Sequence, residues 1–333
     1  MPTSEKRFGC LGVFIVVLLC LSLVFNLLFL VGSMFGIGSG GPQKFEEKPY
    51  AKGAQKVSAK IAIIRLGGVI SSGDMGFSTG ASPDEIKQQF KQALEDKDVR
   101  AIVLAIDSPG GEVTASDDIY NIIRKARDRK PVVVSMGAMA ASGGYYAALG
   151  GSHIIARDTT FTGSIGVIMQ TMNYAELFGK VGLQMVTFKS GKMKDMLSGS
   201  RPSTPEEREY VQTLVMQTYA KFVGIVAAER KIPEDTLRNG VADGRVLSGK
   251  DALHAKLIDQ IGDLDDAVKK AMELGGAAGA TVVEYRAIES LSRYLRLFGK
   301  TDASKSVEIN LGPQSSLHLQ PGRLYLLPEI LAP

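Results

Sequence analysis

The passage from Pro131 to Leu149 limits this chain most. Pro131-Val-Val-Val-Ser135 is an apolar, β-branched run that reads as a buried strand. It is followed by Gly137-Ala-Met-Ala-Ala-Ser142-Gly-Gly-Tyr-Tyr146, and Tyr145–Leu149 reads as a buried helix. Ser142 therefore lies at a strand-to-helix corner lined by Ala and Gly. Small neighbours let a second backbone approach, and a helix N-terminus offers free N–H groups. A nucleophilic serine beside an oxyanion hole needs both. The competing reading is a plain helix cap, a common role for Ser.

The flanking sequence repeats the strand–helix alternation. Lys60–Leu66 and Arg100–Ile106 are apolar strands, with a helix opened by Ser82-Pro-Asp-Glu85 between them. A helix over about 113–129 precedes the 131–135 strand. Short strands are expected at His153–Ala156, Ile165–Met169 and Gln184–Phe188, with a helix around Tyr174–Gly179. Thr204-Pro-Glu-Glu207 opens a long helix to about Arg230, and another spans Leu264–Leu274. Such alternation predicts an α/β fold with a mostly parallel, helix-covered sheet.

No charge occurs between Arg7 and Lys44, and the apolar run Leu11–Val31 is long enough to span a bilayer. Lys6 and Arg7 put the N-terminus in the cytoplasm and the remainder outside. The expected organisation is a cytoplasmic start at 1–9, a signal-anchor helix at 10–36, a tether at 37–58, one compact unit at 59–279 and an extension at 280–333. Ile288, Leu291, Leu295 and Phe298 give that extension an apolar helical stripe. Both cysteines, Cys10 and Cys20, fall in the anchor, so no disulfide framework holds the compact unit. A net charge of +4 without a basic block excludes nucleic acid as the expected partner.

Two apolar strands run into Gly-rich turns, Asp107-Ser-Pro-Gly-Gly111 and the Ser142 corner. In a parallel sheet both turns emerge at one carboxyl edge, where ligands bind. The N–H groups of Gly110-Gly111 and Gly143 are candidate oxyanion donors. A histidine base is disfavoured, because none of His153, His254 and His318 sits in a Gly-rich edge loop. A lysine base remains, from Lys189-Ser-Gly-Lys-Met-Lys-Asp195, and chemistry alone leaves Lys189, Lys192 and Lys194 open. Such a lysine needs an apolar setting, which Met193, Met196 and Leu197 could provide, and Asp195 would have to point away. Met136, Met139, Met169, Met172 and Met185 are candidates for an apolar substrate pocket or for core filler.

Met139-Ala-Ala-Ser-Gly-Gly-Tyr-Tyr146, Thr162-Gly-Ser-Ile-Gly-Val167, Asp107-Ser-Pro-Gly-Gly111 and Lys189–Asp195 together resemble the signal peptide peptidase A family in its short, membrane-anchored bacterial form. The resemblance implies the Clp protease/crotonase fold, a spiral of ββα units. It implies Ser142 as nucleophile, Lys194 as general base, Ser164 as the lysine's hydrogen-bond partner, and Gly111 and Gly143 as oxyanion donors. It implies no cofactor or metal. It further implies a homo-oligomer, an octamer, whose sites are completed between subunits, acting outside the cytoplasmic membrane on released signal peptides and other apolar peptides. The alternatives are a non-catalytic peptide-binding membrane scaffold of the same fold, and acyl-CoA chemistry.

Overall fold

The computed structural model describes residues 15, 17–26, 45–51, 58–72, 80–287 and 325–326. The chain separates into two units, residues 1–44 with 287–308 and residues 45–286 with 309–333. In the first, residues 17–26 are helical, and Asn26 Nδ2 donates to the Ser22 carbonyl at 2.7 Å. Among the described residues no helix is long and apolar enough to cross a membrane. The rest of the expected 10–36 span, Cys10, the stripe from Ile288 to Phe298 and His318 lie outside the described residues.

The second unit opens with β1 (Phe45–Ala51), β2 (Lys60–Gly67), α1 (Pro83–Glu95), β3 (Val99–Ser108), β4 (Gly111–Glu112), α2 (Val113–Arg127) and β5 (Val132–Ala141). It continues through α3 (Gly143–Ala148), β6 (His153–Ala156), β7 (Phe161–Gly163), α4 (Ala175–Lys180) and α5 (Pro205–Arg230). Then come α6 (Glu234–Arg238), β8 (Val246–Ser248), α7 (Gly249–His254), β9 (Gln260–Ile261), α8 (Leu264–Leu274), β10 (Thr281–Ala287) and β11 (Tyr325–Leu326).

The main sheet runs β1-β10-β2-β3-β5-β6-β9, with β7 branching from β5 and carrying β8. The pairings β10–β2, β2–β3, β3–β5, β5–β6, β5–β7 and β6–β9 are parallel, while β7–β8 is antiparallel. Its centre is apolar on both faces, as a helix-covered parallel sheet requires. Alternate residues Ile61, Ile63, Ala101, Val103 and Val133 pack with Ala267, Val268 and Ala271 of α8. Their neighbours Ala62, Ile64, Ile102 and Leu104 are also fully buried and serve the opposite face.

This mixed α/β architecture is consistent with the Clp protease-like fold expected from the resemblance. The sheet also takes in residues on both sides of the expected 59–279 limits. Residues 45–51, assigned to the tether, form β1, and 281–287, assigned to the extension, form β10 between β1 and β2. Two expected strands do not form. Residues 165–169 leave the sheet because β7, earlier in the chain, already pairs with the end of β5. Residues 184–188 make no ladder and stand exposed. The Thr204–Glu207 capping box is realised in full, whereas Ser82 occupies its N-cap without a side-chain hydrogen bond.

Candidate active site

β5 delivers Ser142. Its register against β3 shifts between Ile106↔Met136 and Ser108↔Ala140, so β5 spends four residues where β3 spends two. The bulge falls at Gly137-Ala138, where the Gly137 carbonyl accepts from Thr160 Oγ1 at 2.7 Å and Asp107 Oδ1 accepts from Met139 N at 3.0 Å. The strand then changes partner from β6 to β7 and ends at the corner.

Ser142 has φ 52° and ψ −114°, a backbone region that favours glycine. Its N–H donates to the Gly163 carbonyl at 2.8 Å, and its own carbonyl accepts from Tyr146 N at 2.8 Å. The residue is fully buried, and its Oγ has no hydrogen-bond partner among the described residues. Backbone strain costs about 1–3 kcal/mol, and an unpaired buried hydroxyl about 1–3 kcal/mol more. A plain helix cap would carry neither cost, and Ser142 makes no capping hydrogen bond.

The second Gly turn meets this corner. A Cβ on Gly143 would sit 3.1 Å from Gly111 N, 3.1 Å from Gly110 Cα and 2.5 Å from Ser116 Oγ. Gly143, the residue after Ser142, is therefore packed against Gly110 and Gly111. A Cβ on Gly111 would fall 1.9 Å from the Ile70 carbonyl oxygen. Ser108, which the sequence reading left inside a turn motif, fastens this turn: its Oγ donates to the Gly68 carbonyl at 2.6 Å and accepts from Gly110 N at 3.1 Å. The signal was its place, between an apolar strand and Pro-Gly-Gly.

β4 has two edges. Glu112 N donates to the Ile70 carbonyl, and Ile70 N donates to the Gly110 carbonyl, both at 2.8 Å. Strand backbones alternate, so the N–H and C=O of Gly111 face the other way. There β11 pairs antiparallel with β4, Tyr325 opposite Glu112 and Leu326 opposite Gly111. An extended backbone thus fits along the outer edge of the Gly110-Gly111 turn.

Ser164 follows the glycine that accepts from Ser142. It is buried, has φ 49°, and donates its N–H to the Arg245 carbonyl at 2.8 Å. Lys194 stands apart. It lies on an exposed turn at 191–196, its N–H donating to the Gly191 carbonyl at 3.1 Å. Among the described residues no hydrogen bond or ion pair of its ammonium is found, and none joins it to Ser142. The apolar cover expected of a neutral lysine is not supplied within one chain.

The turn belongs to an arm, residues 170–200, closed at its base by Thr171 Oγ1 to the Leu197 carbonyl and Tyr174 N to the Gly199 carbonyl. The arm carries Met172, Leu177, Val181, Leu183, Met185, Val186 and Phe188 in the open, Phe188 at 95% exposure. The five methionines do not form one pocket: Met136 is in the core, while Met172 and Met185 are exposed. His153 begins β6, with Nδ1 3.8 Å from Asp259 Oδ2, and His254 ends α7. Neither is placed at the corner.

The profile of peptidase family S49 matches residues 124–278, and that of Clp protease matches residues 82–161. A Synechocystis protein named as a protease is 37% identical over 259 residues, 78% of this chain and 90% of that protein. An Enterococcus faecium protein named as the signal peptide peptidase SppA is 35% identical over 252 residues, 74% of this chain and 72% of that protein. The chloroplastic serine protease SPPA of Arabidopsis thaliana is 38% identical over 218 residues, 64% of this chain and 32% of that longer protein.

Proposed function

This chain belongs to peptidase family S49 and is a serine peptidase, and we propose that it is a membrane-anchored endopeptidase with Ser142 as nucleophile and Lys194 of a neighbouring copy as base. The observation that carries this reading is the strained, buried Ser142 hydroxyl, unpartnered among the described residues, at a corner whose next residue, Gly143, packs against Gly110 and Gly111. Ser142 Oγ attacks the scissile carbonyl while Lys194 Nζ takes its proton. The Gly111 and Gly143 N–H groups hold the resulting oxyanion. Lysine returns the proton to the leaving amine, then takes another from the water that releases the acyl-enzyme. Ser164 orients the amine by a hydrogen bond.

Helix geometry supports a shared site. Lys221 of α5 reaches Asp117 Oδ2 at 2.7 Å, and Asp117 Oδ1 accepts from Tyr146 OH at 2.7 Å, on the helix that starts at Ser142. At its other end α5 holds the lysine turn through Glu207 and Arg201. Fourteen residues at 1.5 Å separate Glu207 from Lys221, about 21 Å along the axis. The rod thus spaces Lys194 away from the serine corner of its own chain. The exposed apolar arm is a surface for neighbouring copies, in a ring read as an octamer, and burial there gives the lysine its desolvation.

Extended apolar peptides fit the β4 edge, and the outward placement with residues 10–36 as anchor makes released signal peptides the substrates. The Enterococcus relative's name supports that class. The test is cleavage of a synthetic signal peptide followed by mass spectrometry. Ser142→Ala and Lys194→Ala each lose activity on the order of 10⁴-fold or more. Mixing the two inactive chains before assembly restores about a quarter of wild-type activity, because random neighbours pair an intact serine with an intact lysine in a quarter of sites. Full activity in either single variant overturns the assignment; inactive mixtures overturn the shared site.

A further inference from the structure

Asp195 is the residue that a lysine base beside it can least tolerate, since a facing carboxylate stabilises the ammonium. Its carboxylate is turned elsewhere. Arg201 Nη2 and Nε donate to Asp195 Oδ1 and Oδ2 at 2.7 and 3.0 Å, and Lys189 Nζ donates to Oδ1 at 2.7 Å. The same guanidinium reaches Glu207, Nη1 to Oε2 at 3.0 Å and Nη2 to Oε1 at 2.5 Å. Glu207 is nearly fully buried and also accepts from Thr204 N at 2.8 Å in the capping box. The cluster holds two cations and two anions and is neutral as a whole.

Resting on the assignment of Lys194 as base, we infer that Arg201 is a positioning residue for it. Arg201 draws the Asp195 carboxylate off the lysine, cancels its charge, and ties the turn to the first turn of α5. Further ionisable groups on the elements that carry the cluster include Lys192 of the arm, Tyr174 at the start of α4, and Glu206 and Arg208 of α5. Lys192 is committed to Glu206 at 2.6 Å, and Arg208 donates to the Ser203 carbonyl. Hydrogen bonds from Arg201 and then Lys189 hold the Asp195 carboxyl well below the usual carboxylate range, so it is charged at every pH where the enzyme works. Bonds from Arg201 and the Thr204 N–H bring Glu207 to about 2.

The signs of the effects follow. Removing the Arg201 cation leaves Asp195 paired with Lys189 alone and its charge less compensated, which stabilises the Lys194 ammonium and moves the rise of activity to higher pH. Removing the Asp195 anion while Arg201 stays adds uncompensated positive charge and moves that rise to lower pH. The experiment is the pH profile of kcat/KM for the full assembled chain, for Arg201→Met, Asp195→Asn and the double variant. Shifts of about half a pH unit or more, upward in Arg201→Met and downward in Asp195→Asn, are expected, with Arg201→Lys rescuing most of the change. The double variant lies nearer wild type than Arg201→Met. Unshifted midpoints in active single variants, or shifts of one sign in both, overturn the inference. Asp195→Asn decides the matter alone if Arg201→Met does not fold. An active Lys194→Ala enzyme would instead overturn the base assignment.

Discussion

The serine corner and the lysine arm are built on opposite terms. The corner is built within one chain: strand, bulge and two glycine turns press together around a buried hydroxyl that has no hydrogen-bond partner among the described residues. The arm is internally tied, by Arg201 and two backbone closures, yet it exposes a row of large apolar side chains. Large exposed apolar surfaces on a protein mark sites of interaction. On the proposed reading the chemistry is divided: attack is preorganised by folding, and proton transfer waits on assembly.

The comparison can be broken at either end. The largest effect is expected at Gly111→Ala, whose new Cβ would collide with the Ile70 carbonyl and displace one oxyanion donor. Losing such a donor costs about 10²–10³ in kcat, and the assembled size should be unchanged by sedimentation. Near-normal turnover would mean that the corner is less rigid than described. Phe188→Asp attacks the other region. It removes about 2–3 kcal/mol of apolar burial per contact, so assembly weakens roughly 30- to 150-fold while the unfolding temperature of the protomer stays put. An intact, fully active assembly would exclude Phe188 from the interface.

The smallest effect belongs to Ser108→Ala, which leaves the Gly68 carbonyl and Gly110 N–H without their shared hydroxyl. Calorimetry should show about 1–3 kcal/mol of lost stability, with a few-fold drop in kcat/KM and no change in assembly.

Much of the corner was legible because its signals are local. A β-branched run, small residues and a helix former in succession leave few folds for Pro131–Leu149, and the repeated Gly-Gly turn marks the same sheet edge. The helices α5 and α8 were legible for the same reason, from a capping box and from apolar spacing. What stayed hidden depends on distant partners. The Gly137-Ala138 bulge exists because β5 exchanges β6 for β7, which no local pattern encodes. β10 was read as lying beyond the compact unit because the glycine run at 275–279 resembles an ending, yet it is a connection that carries the chain back beside β2. Residues 184–188 are rich in strand-forming side chains but pair with no strand among the described residues. The role of Arg201 required knowing that Asp195 and Glu207 converge on one guanidinium.

The length of α5 carries a consequence of its own. The helix is tied near its start, at Glu207, and again at Lys221, so the stretch between them works as a gauge. Adding or deleting one residue between those ties would swing the Lys194 turn by about 100° and slide it about 1.5 Å. Engineering that alters this count would detune the enzyme while leaving every side chain of its chemistry in place.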